Sequence, residues 1–61
     1  MITYPERVVE EDELYRTVEH RHEDEGVTYK TIERQRVHYG RVLFTKVNEW
    51  NSRDGYTKKE F

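Results

Sequence analysis

The sequence predicts a mainly β fold, a small antiparallel meander of three to four strands with a short N-terminal helix or arm, in one domain spanning residues 1–61. Three observations lead there. Each of the three glycines sits where a hairpin loop needs one. The segments between them are rich in Val, Thr, Ile and Tyr, side chains that fit a pleated surface. A turn at Tyr39-Gly40 also brings chemically matched residues face to face along both of its arms.

Residues 1–13 read as an arm or short helix, and 14–61 as the meander. Pro5 suits a first helical position with acids following it, and Val8, Leu14, Tyr15 and Val18 fall on one stripe at helical spacing. Continued to its end, that helix would place Glu23, Asp24 and Glu25 at its C-terminus, where negative charge is unfavourable. A helix or extended arm over 5–12 with a strand from about 14 fits better, although 5–22 supports either structure. Glu23-Asp24-Glu25-Gly26 suits a type I turn closed by a left-handed glycine, and Ser52-Arg53-Asp54-Gly55 repeats it.

The turn at Tyr39-Gly40 sets His38 opposite Arg41 and Val37 opposite Val42. The same register pairs Gln35 with Phe44, Glu33 with Lys46, Ile32 with Val47, Lys30 with Glu49 and Tyr29 with Trp50. Cross-strand pairs of these kinds contribute roughly 0.2–1 kcal/mol each. A third strand over 14–22 places Val18 opposite Ile32 and Arg16 opposite Arg34. A fourth over 56–61 sets Lys58 over Trp50 and Phe61 beside Val47.

Alternation then sorts the side chains. Val27, Tyr29, Val37, Val42, Phe44 and Trp50 gather on one face as the expected core. The other face is an apolar patch rimmed by charge, the usual mark of an interaction surface. Its expected partner-binding residues are Lys30, Ile32, Arg34, Arg36, Arg41, Leu43 and Val47, with oligomer or edge contacts at Tyr39, Glu11, Asp12 and Phe61.

Composition bounds the stability and the partners. A 61-residue chain that is 33% hydrophobic has little core to build, because domains this short bury only about 60% of their unfolded surface. No cysteine is present, so disulfides cannot compensate, and self-association is the expected source of extra stability. Without a long apolar run, neither a signal peptide nor a membrane span is expected, and the expected location is cytoplasmic. Net charge is −2, but acids dominate residues 1–26 and bases dominate 27–61. Such a division either makes a basic surface for an anionic partner or neutralises itself by packing.

Catalytic chemistry finds little to work with. Ser52 lies in a turn with no histidine near it in sequence, there is no cysteine nucleophile, and three glycines in three separate turns make no phosphate loop. His20 and His22 share a strand face as a possible metal half-site, but His38 lies too far along the ladder to complete it. No enzyme, cofactor or metal is expected. The expected function is therefore non-enzymatic binding or regulation by a homo-oligomer. In size and composition the chain looks like the small accessory proteins of bacteriophages and mobile elements that bind and inhibit a host or defence protein. The alternative is a small nucleic-acid-binding protein using Lys30, Arg34, Arg36 and Arg41. Against it stand a pI of about 5.9 and a register that parts the aromatic rings from the arginines.

Overall fold

Six strands run through the chain in a computed structural model that describes all of residues 1–61: β1 (Ile2–Thr3), β2 (Arg7–Glu11), β3 (Tyr15–Asp24), β4 (Val27–His38), β5 (Arg41–Asn51) and β6 (Gly55–Lys59). All pair antiparallel in one sheet, in the order β1-β3-β4-β5-β6, with β2 also on β3. The mainly β class and the meander are as the sequence predicts; the N-terminal helix is not present. β1 and β2 together form one interrupted edge strand along β3. Pro5 falls in the break, where its missing N–H costs the ladder nothing. Pairing Val8 with Val18 leaves Val18 1% exposed, a burial that an isolated helix over these residues would not supply. No helix is long and apolar enough to cross a membrane.

The sheet has a single layer. Its extents are 40 × 22 × 14 Å, and only 4 of 61 residues are buried, Val18 being the one apolar residue among them. Cohesion comes from the ladder, which supplies 31 of the 35 backbone–backbone hydrogen bonds. Polar anchors hold its ends. Asp12 turns the chain from β2 into β3 by accepting the N–H groups of Leu14 and Tyr15 through Oδ1, both at 2.8 Å. These two bonds, Tyr15 first, pull the Asp12 carboxyl below its ordinary pKa. Asn51 Oδ1 accepts from Arg53 and Asp54 in the β5–β6 loop, at 3.0 and 2.7 Å.

Two hairpins close with two-residue turns, Glu25-Gly26 and Tyr39-Gly40, in which all four residues have positive φ, between 50° and 77°. This is the backbone twist that matches the strands, and glycine at the second position takes it without strain. The first turn is thus one residue shorter than the sequence suggests, with Asp24 opposite Val27. It moves the third strand by one: Val18 faces Glu33, not Ile32, and Arg16 faces Gln35, not Arg34.

The second turn is as expected, with His38 opposite Arg41 and Val37 opposite Val42. Beyond it the register changes. Arg36 pairs with Phe44, so Leu43 is an extra residue in β5, a β-bulge. Every later pair shifts by one: Arg34 faces Lys46, Glu33 faces Val47, Ile32 faces Asn48, Lys30 faces Trp50 and Tyr29 faces Asn51. A one-residue slip exchanges the faces of a strand. Phe44 and Trp50 therefore leave the expected core side, and Val47 leaves the expected partner-binding side. In β6, Lys58 pairs with Glu49, and it is Tyr56 that stands opposite Trp50.

Candidate nucleic-acid interface

The shifted register places four rows of side chains abreast on one face of the sheet. The first row is Arg21, Lys30, Trp50 and Tyr56; the second is Arg7, Glu19, Ile32, Asn48 and Lys59. The third is Glu10, Thr17, Arg34 and Lys46; the fourth is Tyr15, Arg36 and Phe44. Successive rows are two residues apart, about 6.6 Å along the strands, so the four span about 20 Å.

Rings and cations are interleaved on this face. Lys30 Nζ lies 5.0 Å from the centre of the Trp50 ring, and Lys59 Nζ lies 5.2 Å from that of Tyr56. The Arg34 and Arg21 guanidinium carbons lie 4.7 and 4.1 Å from the rings of Phe61 and Tyr4. The Tyr4 hydroxyl donates to Glu23 at 3.0 Å, and that bond raises the phenol's pKa. Phe61 reaches the face because Asn48, 5% exposed, clamps the last two residues. Asn48 Oδ1 accepts from the N–H groups of Glu60 and Phe61, at 2.7 and 3.1 Å, and Nδ2 donates to the Phe61 carbonyl at 2.9 Å. Lys58 and Glu60 pair beside this clamp at 3.0 Å. Their hydrogen bond is the main reason that the lysine's pKa rises and the carboxyl's falls.

Charge is divided between the two faces. Seven bases (Arg7, Arg21, Lys30, Arg34, Arg36, Lys46, Lys59) share the ring-bearing face with four acids (Glu10, Asp12, Glu19, Glu23). Six acids (Glu6, Glu11, Asp24, Glu33, Glu49, Glu60) share the reverse face with two bases (Arg16, Lys58). Two cation–cation pairs, Arg21 with Lys30 and Arg34 with Lys46, stand directly across neighbouring strands, an arrangement that destabilises a bare sheet.

Of the residues expected at a partner surface, Lys30, Ile32, Arg34 and Arg36 lie together on the ring-bearing face. Arg41 stands opposite His38 beyond its last row, and Leu43 is the bulge itself. Val47 is on the reverse face, opposite Glu33. Phe61 lies under Arg34, and Tyr39 is the turn residue, 92% exposed. Glu11 pairs with Arg16 on the reverse face, while Asp12 is engaged in its turn. Sequence reasoning missed Arg7, Arg21, Lys46, Lys59, Phe44 and Tyr56 on this surface. One signal was present: Asn48 and Asn51, residues depleted in strands, mark where the register is anchored.

On the reverse face His22 stacks on Tyr29, ring centres 4.8 Å apart, and His20 lies between Glu6 and Glu33 at 3.9 and 3.5 Å. No group of three or more His, Cys, Asp or Glu side chains is arranged to hold a metal. Comparison with protein-family models, with curated proteins and with solved structures gives no match.

Proposed function

We propose that the chain is a non-enzymatic binding protein whose basic, ring-bearing face takes single-stranded nucleic acid. The observation that carries this reading is the interleaving of cations and aromatic rings on one open face, with cations set directly opposite cations. A sheet gains nothing from like charges abreast unless an anion joins them. Single strands offer both halves of the match, a phosphate backbone for Lys and Arg and unstacked bases for the rings. In the observed register Trp50 and Phe44 stand on the same face as Lys30, Arg34 and Arg36, while Tyr29 stays on the reverse.

The acidic pI is no obstacle, because the negative charge lies on the other side of the sheet. Screening acts over about 8 Å at physiological salt, so each face presents largely its own charge across a molecule 14 Å thick. A strand laid along β5 would meet Trp50, then Phe61, then Phe44, with Lys30, Arg34, Arg36 and Lys46 beside it. Four such phosphate contacts predict a slope of log affinity against log salt near −3, at about −0.7 per contact on single strands.

Fluorescence anisotropy of labelled oligo-dT and oligo-U across a salt series tests this. Trp50→Ala should weaken binding by the equivalent of about 1–3 kcal/mol, and Tyr29→Ala on the reverse face should not. Absence of binding to both polymers, or binding indifferent to salt, overturns the reading. A second reading, a protein partner such as a host or defence protein, or a second copy of the chain, is favoured by the exposed Leu14, Val42 and Leu43 of a one-layer sheet. Sedimentation of the free protein separates self-association from the rest.

A further inference from the structure

We propose that the cleft between Glu10 and Arg34 is a guanine-selective base pocket. It deepens the nucleic-acid reading and rests on it. The cleft measures about 220 Å³ and is lined by Glu10, Asp12, Tyr15, Thr17 and Arg34. Sites for drug-sized ligands run to about 300–1,000 Å³, so this one suits a single base and not a whole nucleotide. Its shape follows from the third row. Glu10 and Arg34 flank Thr17 on either side, which sets their backbones roughly 10 Å apart across two strand spacings. Thr17, 7% exposed, forms a low floor between two long side chains.

Glu10 is out of place on a phosphate-binding face, where a free carboxylate repels the ligand. Two of the other acids there are occupied by side chains: Glu19 by Arg7 at 3.3 Å, and Glu23 by the Tyr4 hydroxyl at 3.0 Å. Glu10 has no ion-pair partner, and Arg34 does not reach across to it. The Oδ1 atom of Asp12 is already taken by two backbone N–H groups. The cleft thus presents the unengaged Glu10 carboxylate on one wall and, on the other, the Arg34 guanidinium, which stacks on Phe61 and has Asp12 nearby but makes no hydrogen bond or ion pair of its own.

Guanine is the base that answers both walls. Its N1–H and N2–H groups lie parallel and can donate together to one carboxylate, while O6 and N7 on the neighbouring edge accept from arginine. Adenine and cytosine each place a ring-nitrogen acceptor beside their single amino group, which a carboxylate repels. Uracil's N–H lies between two carbonyls. The Tyr15 ring, one row away, flanks the base.

The test uses uridine hexamers carrying one central guanosine, inosine or adenosine, with binding read by anisotropy on the full chain. Guanosine should exceed adenosine by about tenfold or more, with inosine, which lacks the N2 amino group, between them. Glu10→Gln should collapse the guanosine-to-adenosine ratio towards one, and Glu49→Gln on the reverse face should leave it intact. Equal binding of the three hexamers overturns the pocket while leaving the nucleic-acid face standing. A Glu10→Gln variant that binds every hexamer more tightly with an unchanged ratio also overturns it, since Glu10 would then be only a repulsive charge. Failure of all hexamers to bind removes the pocket and the underlying reading together.

Discussion

Replacing Asn48 with alanine should release the end of the chain from the sheet. Three hydrogen bonds are at stake, from Glu60 N, Phe61 N and to Phe61 O, at 2.7, 3.1 and 2.9 Å. Each is worth about 0.5–1.5 kcal/mol net. The freed backbone groups reach water at the chain end, which puts the expected loss near the lower half of the sum, at about 2 kcal/mol. That is a large share for a domain of this length, whose total stability is on the order of 3–9 kcal/mol. A shift of about 4–8 °C per kcal/mol applies at this size, so the melting temperature should fall by roughly 8–16 °C. Circular dichroism on heating and urea titration measure both quantities. Truncation before Glu60 removes the same bonds from the other side, so the double variant should be barely less stable than either single one. Additive losses, or an Asn48→Ala cost under about 0.5 kcal/mol, would refute the clamp.

Tyr39→Asn should stabilise the fold by about 0.5–1 kcal/mol, because Tyr39 holds a φ of 51° that asparagine tolerates better at the first position of this turn; urea denaturation checks it. Deleting Leu43 should keep Arg36 opposite Phe44 and remove only the bulge. Cross-strand nuclear Overhauser contacts between residues 36 and 44 in the variant would report this, and their loss would show that Leu43 sets the register. Acid should loosen the β2–β3 turn. The Asp12 carboxyl titrates lower folded than unfolded, so its contribution is present above the unfolded pKa and lost as pH falls through the folded one. Asp12→Asn should flatten that part of the stability–pH curve. At the alkaline end the Lys58–Glu60 pair behaves in the opposite sense. Lys58 has a raised folded pKa, so its contribution is complete below the unfolded value and disappears as pH climbs past the folded one.

The turns were legible because glycine at a left-handed position is a local signal: Gly26, Gly40 and Gly55 all mark loops and all have positive φ. The meander and the first two pairs beyond Gly40 followed from them. What could not be read was the balance of forces farther along β5. The unshifted register scores well pair by pair, with Glu33 facing Lys46 and Tyr29 facing Trp50, but each pair supplies only roughly 0.2–1 kcal/mol. The observed register is held by bonds outside the ladder. Ser52 N donates to the Thr28 carbonyl at 2.9 Å, Thr28 N donates to Ser52 Oγ at 3.0 Å, and Asn48 and Asn51 bury their amides against the chain end and the loop. Those bonds, at about 0.5–1.5 kcal/mol each, are numerous enough to outweigh the pairs, and in the sequence only the two strand asparagines point to them. The N-terminal strands were missed for a related reason. Residues 7–11 have helical and extended readings of similar merit, and the choice is made by the edge of β3, which exists only once the hairpin has formed. The candidate site inherited the same error, because whether Leu43 is paired or bulged out of the ladder decides which face carries Trp50.

A thin plate with cations on one side and carboxylates on the other has an electric dipole directed through its shortest dimension. In the field of a polyanion such a plate experiences a torque before it makes any contact, and it arrives with the ring-bearing side foremost. Productive encounters are then a larger fraction of collisions than random tumbling allows. The bulge leaves that polarity untouched in β4 but, by holding Leu43 out of the ladder, keeps Lys46 aligned with it, so where one residue is accommodated bears on the speed of approach as well as the grip.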